Sequence, residues 1–213
     1  MQAWGMSGHG GGLRFRAALG MLPNSLSRGS LAKAQSSPRK KMNHSIASPT
    51  LYIFSGLPGV GKSTLARRLA GRLGCAYVRI DTIEQALREL CAFSVQGEGY
   101  WLAYRVAADS LKAGLSVIAD CCNPIELTRT EWEEVARACG AGFVNVEIQC
   151  SDKAEHRRRV ETRESEVPGL KLPTWPEVEG REYHSWTRPR VVVDTAGKSV
   201  GDAFNQLCRA VLH

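Results

Sequence analysis

The chain has 213 residues, 43% hydrophobic and 23% charged, which fits one α/β domain with a sizeable core and is too short for two. No apolar run approaches the roughly 20 residues that span a bilayer, so no membrane-spanning helix is expected. The formal net charge of +7 sits at the start: seven of the 28 Lys and Arg residues (Arg14, Arg16, Arg28, Lys33, Arg39, Lys40, Lys41) fall in the first 41 positions, leaving 21 basic against 21 acidic groups beyond them. A formally neutral body argues against nucleic acid, since tracking phosphates needs a basic surface.

The basic head, with "MSGHGGG", "SLSRGS" and "SSPRKK", is rich in Gly and Ser and lacks hydrophobic periodicity, so residues 1–47 are expected to be disordered. Three readings stay open for it: a translated upstream extension with the true start at Met42, an Arg- and Ser-rich transit peptide, and a nucleic-acid-binding tail. Seven cysteines without a C-x-x-C pair fit neither a disulfide framework nor a zinc site and favour a reducing, cytoplasmic setting.

From residue 48 onward strands and helices alternate. "TLYIFSG" (50–56) reads as a strand, and "KSTLARRLAGRL" (62–73) as a helix with Leu65, Leu69 and Leu73 on one face. "AYVRID" (76–81) is a strand ending at Asp81, "TIEQALREL" (82–90) a helix, and "YWLAYRVAADSLKAG" (100–114) a helix with Tyr100, Tyr104, Ala107 and Leu111 on one face. "LSVIAD" (115–120) is a strand ending at Asp120. "TRTEWEEVARACG" (128–140) follows as a helix, with Thr128 and Glu131 at capping-box spacing and Gly140 as its stop. "FVNVEIQC" (143–150) is the fourth strand, "SDKAEHRRRVETRE" (151–164) a helix, "SEVPGLKLPTWPEV" (165–178) a proline-broken loop, "RVVVD" (190–194) the fifth strand and "SVGDAFNQLCRAVL" (199–212) the closing helix. This alternation implies a mainly parallel sheet covered on both faces.

Between the first strand and helix, Gly56, Gly59, Gly61, Lys62 and Ser63 satisfy G-x-x-x-x-G-K-[ST]. The glycines let backbone N–H groups converge on phosphates, Lys62 reaches the β/γ oxygens and the Ser63 hydroxyl can ligate Mg²⁺. Gly56, Leu57, Pro58, Gly59, Val60, Gly61, Lys62, Ser63 and Thr64 are therefore expected to bind ATP. "DTAG" (194–197) matches a GTPase D-x-x-G, but only 16 residues follow it and no N-K-x-D motif exists, so it reads as a strand end and glycine turn, near the adenine.

Ligand chemistry in a parallel sheet gathers beyond the carboxyl ends of the strands. If the third strand neighbours the first, Asp120 lies beside the phosphate loop, where a carboxylate holds Mg²⁺ waters. Asp81 would lie further along the mouth, able to take a proton from an attacking hydroxyl, with a plain helix cap as the alternative. "EHRRRVETRE" puts His156, Arg159 and Arg163 on one helix face, and the Pro and Gly in "VPGLKLPTW" are those of a mobile lid that brings Arg159 and Arg163 over the triphosphate. Acceptor-binding candidates between strands two and three and just after strand three are Arg88, Glu98, Tyr100, Asn123 and Arg129.

The ordered run of "LYIFSGLPGVGKSTLARRLA", "RID", "VIADCCNP", "EHRRRVETRE", "LPTW" and "RVVVDTA" resembles the small P-loop kinases labelled AAA-family ATPases, relatives of adenylylsulfate kinase, gluconate kinase and bacteriophage polynucleotide kinase. The resemblance covers residues 50–213. It implies a P-loop NTPase three-layer sandwich with a parallel five-stranded sheet of order 2-3-1-4-5 and a helical lid, a kinase domain over residues 48–213, and ATP and Mg²⁺ as cofactors. It also implies Lys62 and Ser63 as the Walker A pair, Asp120 as the Walker-B-like metal acid, Asp81 as base, and Arg159 and Arg163 as lid arginines.

The expected activity is γ-phosphoryl transfer from Mg-ATP to a hydroxyl of a small molecule, by a monomer or weak homodimer. The phage type carries two aspartates and an arginine after strand two, whereas Thr82 and Ile83 follow Asp81 here. The rival readings are a polynucleotide 5′-hydroxyl kinase, a toxin-like kinase acting on a sugar nucleotide, and a non-catalytic ATP-dependent binding module.

Overall fold

A computed structural model describes residues 48–212; the basic head, residues 1–47, lies outside the described residues. In chain order these form β1 (Thr50–Ser55), α1 (Lys62–Leu73), β2 (Ala76–Arg79), α2 (Ile80–Cys91), α3 (Glu98–Lys112), β3 (Val117–Asp120), α4 (Glu126–Ala138), β4 (Gly142–Gln149), α5 (Lys153–Thr162), α6 (Trp175–Glu179), β5 (Val191–Asp194) and α7 (Val200–Val211). The sheet is all parallel with order β2-β3-β1-β4-β5.

β1 reads as a continuous apolar run because both its faces are buried. Tyr52 and Phe54 face a core shared with Leu65, Leu69, Ala203 and Leu207 of α1 and α7. Leu51 and Ile53 face Tyr104, Ala107 and Leu111 of α3 and Trp132 and Ala136 of α4. These are the three layers of a P-loop NTPase sandwich, with β1 at the centre. Among the described residues no helix is long and apolar enough to cross a membrane.

Four local expectations are corrected. β2 stops at Arg79, opposite Asp120 at the end of β3, so its ladder ends where its partner does; Asp81 lies in the first turn of α2 rather than at a strand end. α3 starts two residues early, because the Glu98 carboxylate accepts the N–H groups of Gln96 (2.7 Å) and Gly97 (3.1 Å). α4 starts at Glu126 without a capping box: Thr128 Oγ1 donates to Ile125 O (3.0 Å), and Glu131 accepts the Tyr104 hydroxyl (2.9 Å). Within the expected proline-broken loop, α6 forms because Glu177 Oε2 accepts from both Thr174 N (2.8 Å) and Thr174 Oγ1 (2.9 Å), the T-x-x-E signal of a capping box. Pro176 sits in its first turn, where no N–H is needed, and Trp175 and Val178 bury against Val160.

Candidate active site

The phosphate loop leaves the end of β1 between β3 and β4. Gly56 N–H donates to Cys122 O (3.1 Å), tying the start of the loop to the turn after β3. Gly59 has φ +87° and packs so closely under α5 that a Cβ there would meet Val160 Cγ2 at 2.5 Å, so only glycine combines that backbone with that approach. α5 braces the loop from above: His156 Nε2 donates to Pro58 O (2.8 Å), and its ring meets Trp175 edge-on at 5.2 Å. Thr195 Oγ1 donates to Val60 O (3.0 Å) from the far side.

α1 begins at Lys62 with no side-chain cap and no acid in its first turn, leaving its N-terminal N–H groups available to phosphate oxygens. Lys62 Nζ turns back to donate to Leu57 O (3.2 Å).

Because β3 pairs with β1, with Asp120 level with Phe54, the Asp120 carboxylate ends up beside this cradle. It is 3% exposed, accepts the Tyr77 hydroxyl at 2.6 Å, and has Arg79 Nε at 3.8 Å. Burial and the Asp120 charge push the Tyr77 hydroxyl far above its usual range, so it stays a donor. Asp81 is more than half exposed, with Arg79 NH2 at 3.8 Å. Sequence reasoning missed Arg79, whose guanidinium stands between the two aspartates; its adjacency to Asp81 in "VRID" was the available signal.

The arginines of α5 separate. The expectation that His156, Arg159 and Arg163 share one helix face is corrected: His156 is buried against the loop, and Arg163 lies past the end of α5 as its C-cap in extended conformation (φ −72°, ψ 148°). Arg159 is occupied at the β5 end, donating to Thr195 Oγ1 (2.8 Å), Thr195 O (3.0 Å) and Glu155 (2.6 Å), while Glu155 accepts Gly197 N–H (2.8 Å). "DTAG" is thus a strand end and glycine turn, with Asp194 accepting from Ser151 N (3.0 Å) and Ala196 N (3.1 Å). The Arg163 backbone N–H donates to Arg159 O (3.1 Å), but its guanidinium acquires neither a hydrogen bond nor an ion pair among the described residues. Burial lowers the basicity of its guanidinium, with Arg79 and Arg181 adding repulsion and Asp81 opposing.

Beyond α5 the segment continues over α1 and β2. Glu166 takes both Arg67 guanidinium nitrogens (2.9 and 2.8 Å) and Arg79 NH1 (3.2 Å), and Val167 is buried. The Arg67 hydrogen bonds hold the Glu166 carboxyl below the usual range.

The five acceptor candidates are committed elsewhere. Arg88 pairs with Glu84 (3.0 Å) one turn away, and Glu98 caps its own helix start. The Tyr100 hydroxyl accepts Asn123 N–H (3.2 Å). Asn123 is fully buried, its amide donating to Phe54 O and Ser55 Oγ at 3.2 Å. Arg129 is 1% exposed and donates to the carbonyls of Asn123 (3.0 Å), His184 (2.9 Å), Pro124 (3.3 Å) and Ser185 (3.4 Å), with Trp186 over its guanidinium at 4.0 Å.

A family model described as an AAA domain (AAA_33) matches residues 51–172, more than half of the chain. A candidate adenylate kinase of Pyrococcus furiosus is 38% identical over 72 residues, spanning 33% of this chain and 39% of that relative's length. Among solved structures, a candidate kinase from Chloroflexus aurantiacus superposes with a TM-score of 0.60 at 19% identity, covering 78% of this chain and 100% of that one. A gluconokinase from Sinorhizobium meliloti gives 0.53 at 17% identity, covering 78% and 95%. The APS kinase of Mycobacterium tuberculosis in complex with AMPPNP and APS gives 0.53 at 19% identity, covering 78% and 99%. At these identities the three structures speak to the fold, which is the fold of P-loop kinases. The chain belongs to the AAA_33 family of AAA domains.

Proposed function

We propose that residues 48–213 form a kinase domain that transfers the γ-phosphoryl group of ATP to a hydroxyl of a small molecule. The observation that carries this reading is that one mouth contains a complete phosphate cradle, a buried carboxylate beside it, and a second, exposed carboxylate across a single arginine. Residues 56–64 hold the nucleotide, with Lys62 leaving Leu57 O for the β/γ oxygens and the N–H groups of α1 completing the cradle. Ser63 and Asp120 offer the hard oxygen ligands that suit Mg²⁺, and a bound ion would neutralise charge on the β- and γ-phosphates. Tyr77 keeps the Asp120 carboxylate oriented.

On the acceptor side, Asp81 takes the proton of the attacking hydroxyl as its oxygen bonds to the γ-phosphorus and the bond from phosphorus to the β,γ-bridging oxygen breaks, releasing ADP. Arg163, with its donors uncommitted, is the α5 arginine suited to charge in this mouth, while Arg159 holds the "DTAG" turn. We place the protein in the cytoplasm as a monomer or weak homodimer.

The test is mass spectrometry of a metabolite and nucleoside mixture, with an oligonucleotide included, incubated with protein and Mg-ATP beside Lys62→Ala. A phosphorylated small molecule absent from the mutant is expected. Labelling of the oligonucleotide end alone would transfer the assignment to the polynucleotide kinases, and ATP binding without any product would favour a binding module.

A further inference from the structure

Arg79 ends β2 level with Asp120 on β3, and each of its three guanidinium nitrogens faces a different carboxylate. NH1 donates to Glu166 (3.2 Å), NH2 is 3.8 Å from Asp81 Oδ2, and Nε is 3.8 Å from Asp120 Oδ2. Only the first is a hydrogen bond. Nε is buried without an acceptor, although a carboxylate oxygen lies just beyond bonding reach. A buried N–H left unbonded beside an anionic oxygen is costly, so something holds the guanidinium away from Asp120. Asp120 itself cannot advance, being 3% exposed with Oδ2 bonded by the Tyr77 hydroxyl (2.6 Å). The holding group is Glu166. Both Arg67 guanidinium nitrogens fix its carboxylate from the other side (2.9 and 2.8 Å). The segment that carries it is seated by its own backbone: Gly169, at φ +71°, rests so closely on Gln85 and Glu89 of α2 that no Cβ fits there.

We infer that Arg79 is a positioning residue whose place is set by the lid segment. With Glu166 docked, the guanidinium is drawn off the two aspartates, leaving Asp120 open to a cation and Asp81 open to a hydroxyl. With Glu166 withdrawn, the same guanidinium closes onto Asp120 and Asp81 and masks both charges. Docking of the segment and readiness of the two carboxylates are thereby one event, and the coupling runs equally in both directions. The inference rests on the kinase reading above for the roles of Asp81 and Asp120.

The test is titration of AMPPNP binding to the full chain with Mg²⁺, the metal-free AMPPNP affinity serving as reference. Glu166→Gln is expected to raise the Mg²⁺ midpoint about threefold or more, because the released Arg79 competes with the cation. Arg79→Gln is expected to lower it by a similar factor, because the competitor is gone, and adding Glu166→Gln to Arg79→Gln should change nothing further. Metal-free AMPPNP affinity should stay constant throughout, since residues 56–64 are untouched. The opposite signs separate positioning from a merely structural ion pair, whose loss from either side would weaken binding in the same direction. A second readout does not need Arg79→Gln to fold. Amide exchange over residues 164–170 in wild type should be about threefold slower with Mg-AMPPNP than with AMPPNP alone, and this difference should vanish in Glu166→Gln. Shifts of the same sign in the two single variants, additive shifts in the double variant, or a Mg²⁺-dependent slowing that survives Glu166→Gln would refute the coupling while sparing the kinase reading. Failure of the wild type to bind AMPPNP refutes the kinase reading and this inference with it.

Discussion

Replacing Arg129 by Met keeps a stem of similar shape and removes the guanidinium, which separates packing from polar contacts. In the wild type the group is 1% exposed and serves four carbonyls. Two of the bonds are short, to His184 O (2.9 Å) and Asn123 O (3.0 Å), and two long, to Pro124 O (3.3 Å) and Ser185 O (3.4 Å). Hydrogen bonds from a charged donor contribute about 1.5–3 kcal/mol each when well formed. The two short ones, with a cation–π contact to Trp186 at 4.0 Å, must first offset the desolvation of a guanidinium that has no carboxylate partner within ion-pair distance among the described residues. The expected loss on Arg129→Met is therefore about 3–5 kcal/mol, most of it the cost of stranded carbonyls. Urea unfolding of Arg129→Met and Arg129→Lys measures it, and Lys is expected to recover less than half because a point charge cannot serve four acceptors around a plane. Hydrogen exchange should show residues 183–190 deprotected first, since Arg129 fastens that segment to the loop after β3. A Met variant within about 1 kcal/mol of wild type, or one whose 183–190 segment stays protected, would refute this account of the buried charge.

Asp81→Asn is expected to lower phosphoryl transfer by about a hundredfold or more while ATP affinity stays nearly intact; equal loss of both, in turnover and equilibrium binding, would remove the base assignment. Tyr77→Phe deletes the 2.6 Å hydrogen bond to Asp120 and should raise the Mg²⁺ concentration needed for half-maximal ATP binding by about tenfold, an effect that titration with Mg²⁺ at fixed ATP reads directly; an unchanged midpoint argues against a positioning role. Glu166 has its folded carboxyl held low, chiefly by Arg67. Its contribution to pinning the lid segment is thus present above the ordinary carboxylate value and disappears as pH falls through the lowered one. Amide exchange over residues 164–170 should rise on acidification in wild type, and already be raised at neutral pH in Glu166→Gln. Identical exchange in the two proteins at neutral pH would show that the Arg67–Glu166–Arg79 bridge does not hold the segment.

Local chemistry was enough to read the phosphate loop, the alternation of strands and helices, and the apolar faces of α1 and α3, because these depend on periodicity and on glycine at fixed spacing. The capping box of α6 was equally local, and Thr174 and Glu177 carried it in plain view beneath two prolines. Strand order came from family resemblance, since nothing in a run of β residues states which neighbour it pairs with; the structure bears it out, and Asp120 beside the cradle follows.

Charged side chains were the hardest to assign from sequence, because their roles depend on what other segments bring to them. Arg129 read as an acceptor-binding candidate and is instead buried by residues 183–186, which arrive more than fifty positions later. Arg159 and Arg163 looked equivalent at helical spacing, yet α5 ends between them in function: one is consumed by Thr195 after β5, the other is left with free donors near Asp81. Sequence determined that this protein has a P-loop and the residues of its cradle. Tertiary structure alone decided which arginines are spent on holding the fold and which remain for a ligand, because that depends on acceptors delivered from distant parts of the chain.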